Sequence, residues 1–174
     1  SLTSLASFFK KFKATIYKAE KINTHGGSLR IYVKKSIKTK IEKSVKSLLI
    51  EEEKFGIKKY QTYQNFAKKV YKIRDNVRKN ILKLKENDTK IIGYGSPAKA
   101  TTALNFFGIS EEIECIVEDN KLKQGKLLPG VKIPIVSKSH IKDKPDYALV
   151  LAWNFINEIK SKNIDLAHKF ISIK

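Results

Sequence analysis

Residues 90–102 read Lys90-Ile91-Ile92-Gly93-Tyr94-Gly95-Ser96-Pro97-Ala98-Lys99-Ala100-Thr101-Thr102, and this order of residue types can build an anion seat. A short apolar run stops at a Gly-x-Gly turn. A proline stands where a first helical turn can begin, and Ala103, Leu104 and Phe107 follow at helical spacing. Glycine lets the backbone approach a phosphate, and the unpaired N–H groups of a first helical turn point at it. Lys99 would add a positive charge, and Ser96, Thr101 and Thr102 would add hydroxyl donors. An ordinary tight turn between a strand and a helix can carry the same glycines, so the residues downstream have to decide.

The next apolar run, Ile113-Glu114-Cys115-Ile116-Val117-Glu118-Asp119-Asn120, reads as a second strand ending in acids. Asp119 lies 26 residues beyond Gly93. That is close to the offset of about 20 residues at which a Rossmann unit sets the acid that accepts from a ribose hydroxyl. The third glycine of Gly-x-Gly-x-x-Gly is replaced by Ala98, and Pro97 and Lys99 are unusual in a dinucleotide fingerprint. A nucleotide or other phosphorylated ligand fits this pattern better than a nicotinamide cofactor. Beyond the acids, Lys123, Gln124 and Lys126 could close over a phosphate, while Gly125, Pro129 and Gly130 make the same stretch a turn-rich loop.

Trp153-Asn154-Phe155 comes after another apolar run. Trp153 or Phe155 offers a ring face to a base or sugar, and Asn154 either caps the next helix or takes a hydroxyl. His25, in the turn Thr24-His25-Gly26-Gly27-Ser28, is the one histidine whose setting could suit a general base. No second member of an acid–base pair can be set beside it. No nucleophile elbow, Walker lysine, HExxH or paired-carboxylate motif is present, and no metal site is expected.

The elements that must position these residues can be read from periodicity. Leu2, Leu5, Phe8, Phe9 and Phe12 read as a short amphipathic helix, and residues 15–17 and 28–33 read as strands about the glycine turn. Such a tail is too small to bury itself and is expected to complete a sheet begun upstream. A helix is expected over 36–53, with Ile37, Ile41, Val45, Leu48 and Leu49 on one face and Gly56 after it. A second helix over 61–85 has Tyr63, Phe66, Val70, Ile73, Val77, Ile81 and Leu84 as its seam. From Asp88 strands and helices alternate: strand 90–94, helix 98–107, strand 113–118, a segment over 131–135 in which Pro134 marks a sheet edge, strand 147–152, helix 154–162 and strand 170–173. The fold class is therefore α/β: a Rossmann-like parallel sheet with helices on both faces, preceded by a helical hairpin and a short β tail. The expected divisions are 1–33 for the tail, 34–87 for a basic helical connector and 88–174 for the ligand-binding domain.

Composition narrows the classes further. Lone Cys115 excludes an internal disulfide and any cysteine-based zinc site, and it falls in a core strand, so an inert thiol in a reducing cytoplasm is expected. No apolar run reaches membrane-spanning length, and Lys10, Lys11 and Lys13 directly follow Phe8-Phe9, unlike a signal peptide. No membrane partner is expected. A chain that starts at Ser1 and holds no methionine is expected to be a piece of a longer protein. The net charge of +19 is uneven: residues 34–85 carry 17 basic and five acidic side chains, whereas residues 86–174 carry 13 and 11. The basic segment could track a phosphate backbone, which keeps open a non-enzymatic α/β domain whose basic helical arm binds nucleic acid. Few aromatics or arginines interleave with its lysines, so nucleic acid is the less favoured partner and a solvated helix face the simpler reading.

Thr24-His25-Gly26-Gly27-Ser28-Leu29-Arg30 resembles the close of the S-adenosylmethionine-binding domain of sugar C-methyltransferases. Gly93-Tyr94-Gly95-Ser96-Pro97-Ala98-Lys99 and Leu104-Asn105-Phe106-Phe107-Gly108-Ile109 resemble the opening of that family's C-terminal domain. Val117-Glu118-Asp119-Asn120, Lys123-Gln124-Gly125-Lys126, Pro129-Gly130-Val131-Lys132-Ile133-Pro134-Ile135, Pro145-Asp146-Tyr147 and Leu151-Ala152-Trp153-Asn154-Phe155 continue it in order. The chain departs from the family at Glu118-Asp119-Asn120, where Asp-Arg-Asn is usual, and at Ala167-His168-Lys169-Phe170, where Gly-Gly-Lys-Phe is usual.

The resemblance implies a three-part enzyme: a zinc-binding N-terminal domain, a methyltransferase domain that holds S-adenosylmethionine, and a Rossmann-like domain that helps hold a nucleotide-linked sugar. This chain would supply the methyltransferase domain's tail, a connector and the last domain. The upstream methyltransferase domain would be its partner in the same polypeptide. It would bind substrate through Gly93, Tyr94, Gly95, Ser96, Lys99, Asp119, Trp153, Asn154 and Phe155 without methylating alone.

Overall fold

Glu52 organises the start of the chain. Its carboxylate accepts from the backbone N–H of Leu2 (2.6 Å) and Thr3 (2.8 Å) and from the Thr3 hydroxyl (2.6 Å), at the electropositive end of helix α1 (Leu2–Lys11). The computed structural model describes residues 1–172 and divides into two compact units, Ser1–Lys68 and Lys69–Lys174; Ile173, expected in the last strand, lies outside the described residues.

In the first unit, β1 (Thr15–Ile22) pairs antiparallel with β2 (Ser28–Lys34), from Thr15 opposite Lys34 to Ile22 opposite Ser28. β1 outruns the expected 15–17 because this ladder continues to the glycine turn. The helix expected from Ser36 begins only at α2 (Lys43–Phe55). The Thr15 hydroxyl donates to Ser36 O and the Glu42 N–H to Tyr17 O, so residues 36–42 are committed to β1 and Ile37 stays exposed. Val45, Leu48 and Leu49 of α2 close on Leu2, Ile16 and Ala19 to form this unit's core. Gly56, in the left-handed region at φ 80°, ends the helix.

Helix α3 (Tyr60–Lys85) crosses from the first unit into the second. Of its apolar seam, Val77, Ile81 and Leu84 enter the second unit's core, while Tyr63, Phe66 and Ile73 are exposed.

The second unit is a five-stranded parallel sheet: β3 (Ile91–Tyr94), β4 (Ile116–Val117), β5 (Ile135–Val136), β6 (Tyr147–Val150) and β7 (Lys169–Ser172), in the order β5-β4-β3-β6-β7. Alternate side chains feed opposite layers. Ile91, Ile116 and Leu149 pack with Ile81 of α3 and Leu104 and Phe107 of α4 (Ala98–Phe107). Ile92, Val117 and Ala148 pack with Leu166 and with Ile159 of α5 (Ile156–Lys162). Helices thus cover both faces, as expected of a Rossmann-like sheet. Arg78 of α3 donates to Gly108 O at 2.6 Å, setting a cation at the carboxyl end of α4.

Several boundaries differ from the sequence reading. The strand expected over 113–118 narrows to β4, although the Gly93 N–H still donates to Cys115 O at 2.8 Å. The segment expected over 131–135 pairs only at Ile135–Val136, on the edge that Pro134 marked. The helix expected from 154 opens with a 3-10 turn, Trp153–Phe155, and the residue preceding α5 is Phe155 with no side-chain cap, so Asn154 does not cap it. Cys115 is buried, and that burial pushes its thiol up to about 11, as befits an inert core thiol.

Candidate functional site

The chain leaves β3 for its neighbours on one side, β4 and β5, and returns on the other side for β6 and β7. Strand order therefore reverses at β3, and in open parallel sheets ligands bind beyond the carboxyl ends at such a reversal. A cleft of about 560 Å3 opens there, walled by the turns after β3, β4 and β6 and by one face of α5.

Tyr94 is the last residue of β3 and reaches across to the acids beyond β4. Its hydroxyl donates to Asp119 Oδ2 at 2.8 Å and accepts from buried Asn163 Nδ2 at 3.2 Å. Asn163 is itself tied to Ile159 O at 3.0 Å. Burial first, and then the hydrogen bond to Asp119, push the Tyr94 phenol up to about 12. The phenol therefore remains a donor and fixes the carboxylate.

Glu118, beside Asp119, turns back onto the glycine turn. One of its oxygens accepts from the Ser96 N–H (2.8 Å) and the Ser96 hydroxyl (2.5 Å), and the other accepts from the Asn120 N–H (3.1 Å). Burial pushes its carboxyl up, but these bonds and nearby Lys123 outweigh it and hold the group below the usual carboxylate range. Lys123 donates to Ser96 O at 3.0 Å, and Gln124 donates to Glu118 O at 2.7 Å. Of the three residues expected to close over a phosphate, Lys123 and Gln124 thus close over the Glu118 segment.

The sequence-derived candidates separate. Tyr94, Gly95, Ser96, Asp119 and Phe155 line the cleft. Gly93 serves packing: a Cβ there would lie 2.9 Å from Ile116 Cγ1 and 3.1 Å from Leu151 Cδ1. Lys99 stands 4.3 Å over the Trp153 ring, and Trp153 packs on the core layer that α4 covers. Neither lines the cleft, and nor does exposed Asn154. His25 is exposed in the first unit, at φ 55° in the turn between β1 and β2.

Glu158, Ile159, Lys162 and Asn163 also line the cleft. With Phe155 they recur at three- and four-residue steps along α5, the one signal that could have revealed them. The wall carries Glu118, Asp119 and Glu158 against Lys123 and Lys162, and Lys162 is paired with Glu158 at 2.7 Å. Among the described residues no group of three or more His, Cys, Asp or Glu side chains could hold a metal ion, and no helix is long and apolar enough to cross a membrane.

The family described as "C-methyltransferase C-terminal domain" matches residues 23–171. The chain is 32% identical over 162 residues to "C-methyltransferase NovU" of Streptomyces niveus, an alignment that covers 91% of this chain and 39% of that relative. The chain thus spans well under half of the relative's length.

Proposed function

The chain belongs to the C-methyltransferase C-terminal domain family, and from that premise we propose that it is the substrate-holding part of a methyltransferase acting on carbon of a nucleotide-linked sugar. The observation that carries the reading is the Tyr94–Asp119 pair at the strand-order reversal. Tyr94 occupies one Asp119 oxygen, and the other, which accepts no hydrogen bond among the described residues, is available to a ligand hydroxyl. Phe155, half exposed at the rim, offers a ring face to a base or sugar.

In this reading the domain acts by positioning. Contacts remote from the reacting carbon hold the substrate in register, and that binding energy lowers the barrier elsewhere. Bound in the parent enzyme, S-adenosylmethionine would supply an electrophilic methyl group to a carbon deprotonated beside a ketone, the S–CH3 bond breaking to leave a neutral thioether. On this reading the cofactor is bound mostly outside this chain, and the closure of the turn at 93–96 by Glu118 supports that assignment for the second unit. We assign most of the cofactor's contacts, the base and any zinc to the parent's other parts, and expect this chain alone to be inactive. The enzyme works in the cytoplasm on this reading.

Calorimetric titration with nucleosides, nucleoside diphosphates and their sugars, at two salt concentrations, tests it. Saturable binding that changes little with salt and weakens at least about tenfold in Asp119→Ala supports the reading. Binding only to nucleic acid, falling steeply with salt, favours the basic arm of α2 and α3 instead. Failure to bind any nucleotide ligand sinks the substrate-holding role.

A further inference from the structure

We infer that Glu118 is a built-in anion occupying the seat which this strand–turn–helix would otherwise offer a phosphate, so that the cleft excludes phosphate from the turn and takes an uncharged, hydroxyl-bearing part of its ligand. The inference deepens the substrate-holding reading and rests on it for the identity of that ligand.

The donors of Ser96, which face the glycine turn, are already engaged. The Ser96 N–H and hydroxyl converge on a single Glu118 oxygen, at 2.8 and 2.5 Å. Lys123 lies 3.5 Å from the same oxygen and donates to Ser96 O, which draws its loop down over the turn. The Asn120 N–H takes the second oxygen, so the carboxylate is held from both sides. Its side chain is only 13% exposed, which leaves no room for a second anion at the Ser96 donors. Lys99, the remaining cation of the motif, is turned onto Trp153.

The charge around the turn points the same way. A phosphate reaching Ser96 would meet Glu118 at contact distance, with Asp119 next in the chain, and like charges in a partly buried site repel strongly. A neutral hydroxyl meets the opposite situation, because Asp119 is a carboxylate held in place by Tyr94. The same arrangement ties Lys123 and Gln124 of the following loop to the Ser96–Glu118 contact.

The test tracks the Ser96 amide signal while inorganic phosphate is titrated into the full chain. In wild type the signal stays still. In Glu118→Ala the vacated donors take up phosphate, and the Ser96 signal shifts and saturates at concentrations at least about tenfold below any at which wild type responds. A wild-type shift equal to the variant's overturns the inference. Glu118→Gln, which keeps the shape and removes the charge, guards against a misfolded alanine variant: a phosphate shift gained in either folded variant supports the inference, and none in either overturns it. Wild type is also titrated with a nucleoside and its diphosphate. Affinities within about threefold support the inference, and a tenfold preference for the diphosphate accompanied by a Ser96 shift overturns it. If neither nucleoside nor diphosphate binds while the variants still gain phosphate, the substrate-holding reading fails and the role of Glu118 stands.

Discussion

Tyr94 and Asp119 stand at the carboxyl ends of adjacent parallel strands, and the Tyr94 hydroxyl donates to Asp119 Oδ2 at 2.8 Å across them. The bond converts an acid in a loop into a fixed acceptor, because Tyr94 is anchored by the sheet and by Asn163. A ligand that meets Asp119 need not organise it first, which preserves binding energy.

Tyr94→Phe removes the donor to Asp119 and leaves buried Asn163 without that acceptor. The expected loss is about 1–3 kcal/mol of stability, measured by urea unfolding. The wild type adds a signature in base. The folded phenol titrates at about 12 against an ordinary value of 10.0, so the unfolded chain releases this proton first. That contribution is fully present below pH 10.0 and is lost as pH rises toward about 12. Tyr94→Phe should flatten this alkaline slope.

Glu118 behaves in the opposite sense. Its carboxyl lies below its ordinary 4.5 in the folded chain, so its stabilisation is present above pH 4.5 and disappears as pH falls through the depressed value. Glu118→Gln should show a shallower acid limb in denaturation monitored by circular dichroism. A limb as steep as wild type's would mean that the Ser96 and Asn120 bonds do not govern this group.

Lys99→Ala and Asp119→Ala should part company. Lys99 makes a cation–π contact with Trp153 and does not line the cleft. Its loss should cost about 0.5–1 kcal/mol of stability. Calorimetry should show nucleoside affinity unchanged within about twofold, against at least about tenfold weakening in Asp119→Ala.

Gly93→Ala forces a Cβ to 2.9 Å from Ile116 Cγ1 in the middle of the sheet. Overpacking of this kind costs about 1–3 kcal/mol. The urea midpoint should fall, and the change should be largest for probes in the second unit, such as Trp153 fluorescence.

Much of the second unit was legible in the sequence, because its strands are short apolar runs separated by glycine, proline and acid signals. Ile91, Ile92, Ala148 and Leu149 are buried on both faces, so composition sufficed where periodicity was too short to read. The start of α2 was not legible: Ile37 and Ile41 keep the helical spacing, but the bonds of Ser36 and Glu42 to β1 override it. Within the site, the glycine turn and Asp119 could be found by spacing, whereas the use made of Ser96 could not. A serine that donates to a ligand and one that donates to its own chain share one sequence. Only the 2.5 Å contact with Glu118 separates them.

The Glu118 carboxylate meets the Ser96 donors within one folded chain, so its contact is intramolecular whatever the solution contains. Dissolved anions compete with it at a standing disadvantage. If Glu118 fills this seat as inferred above, ambient phosphate would be a weak competitor at the turn.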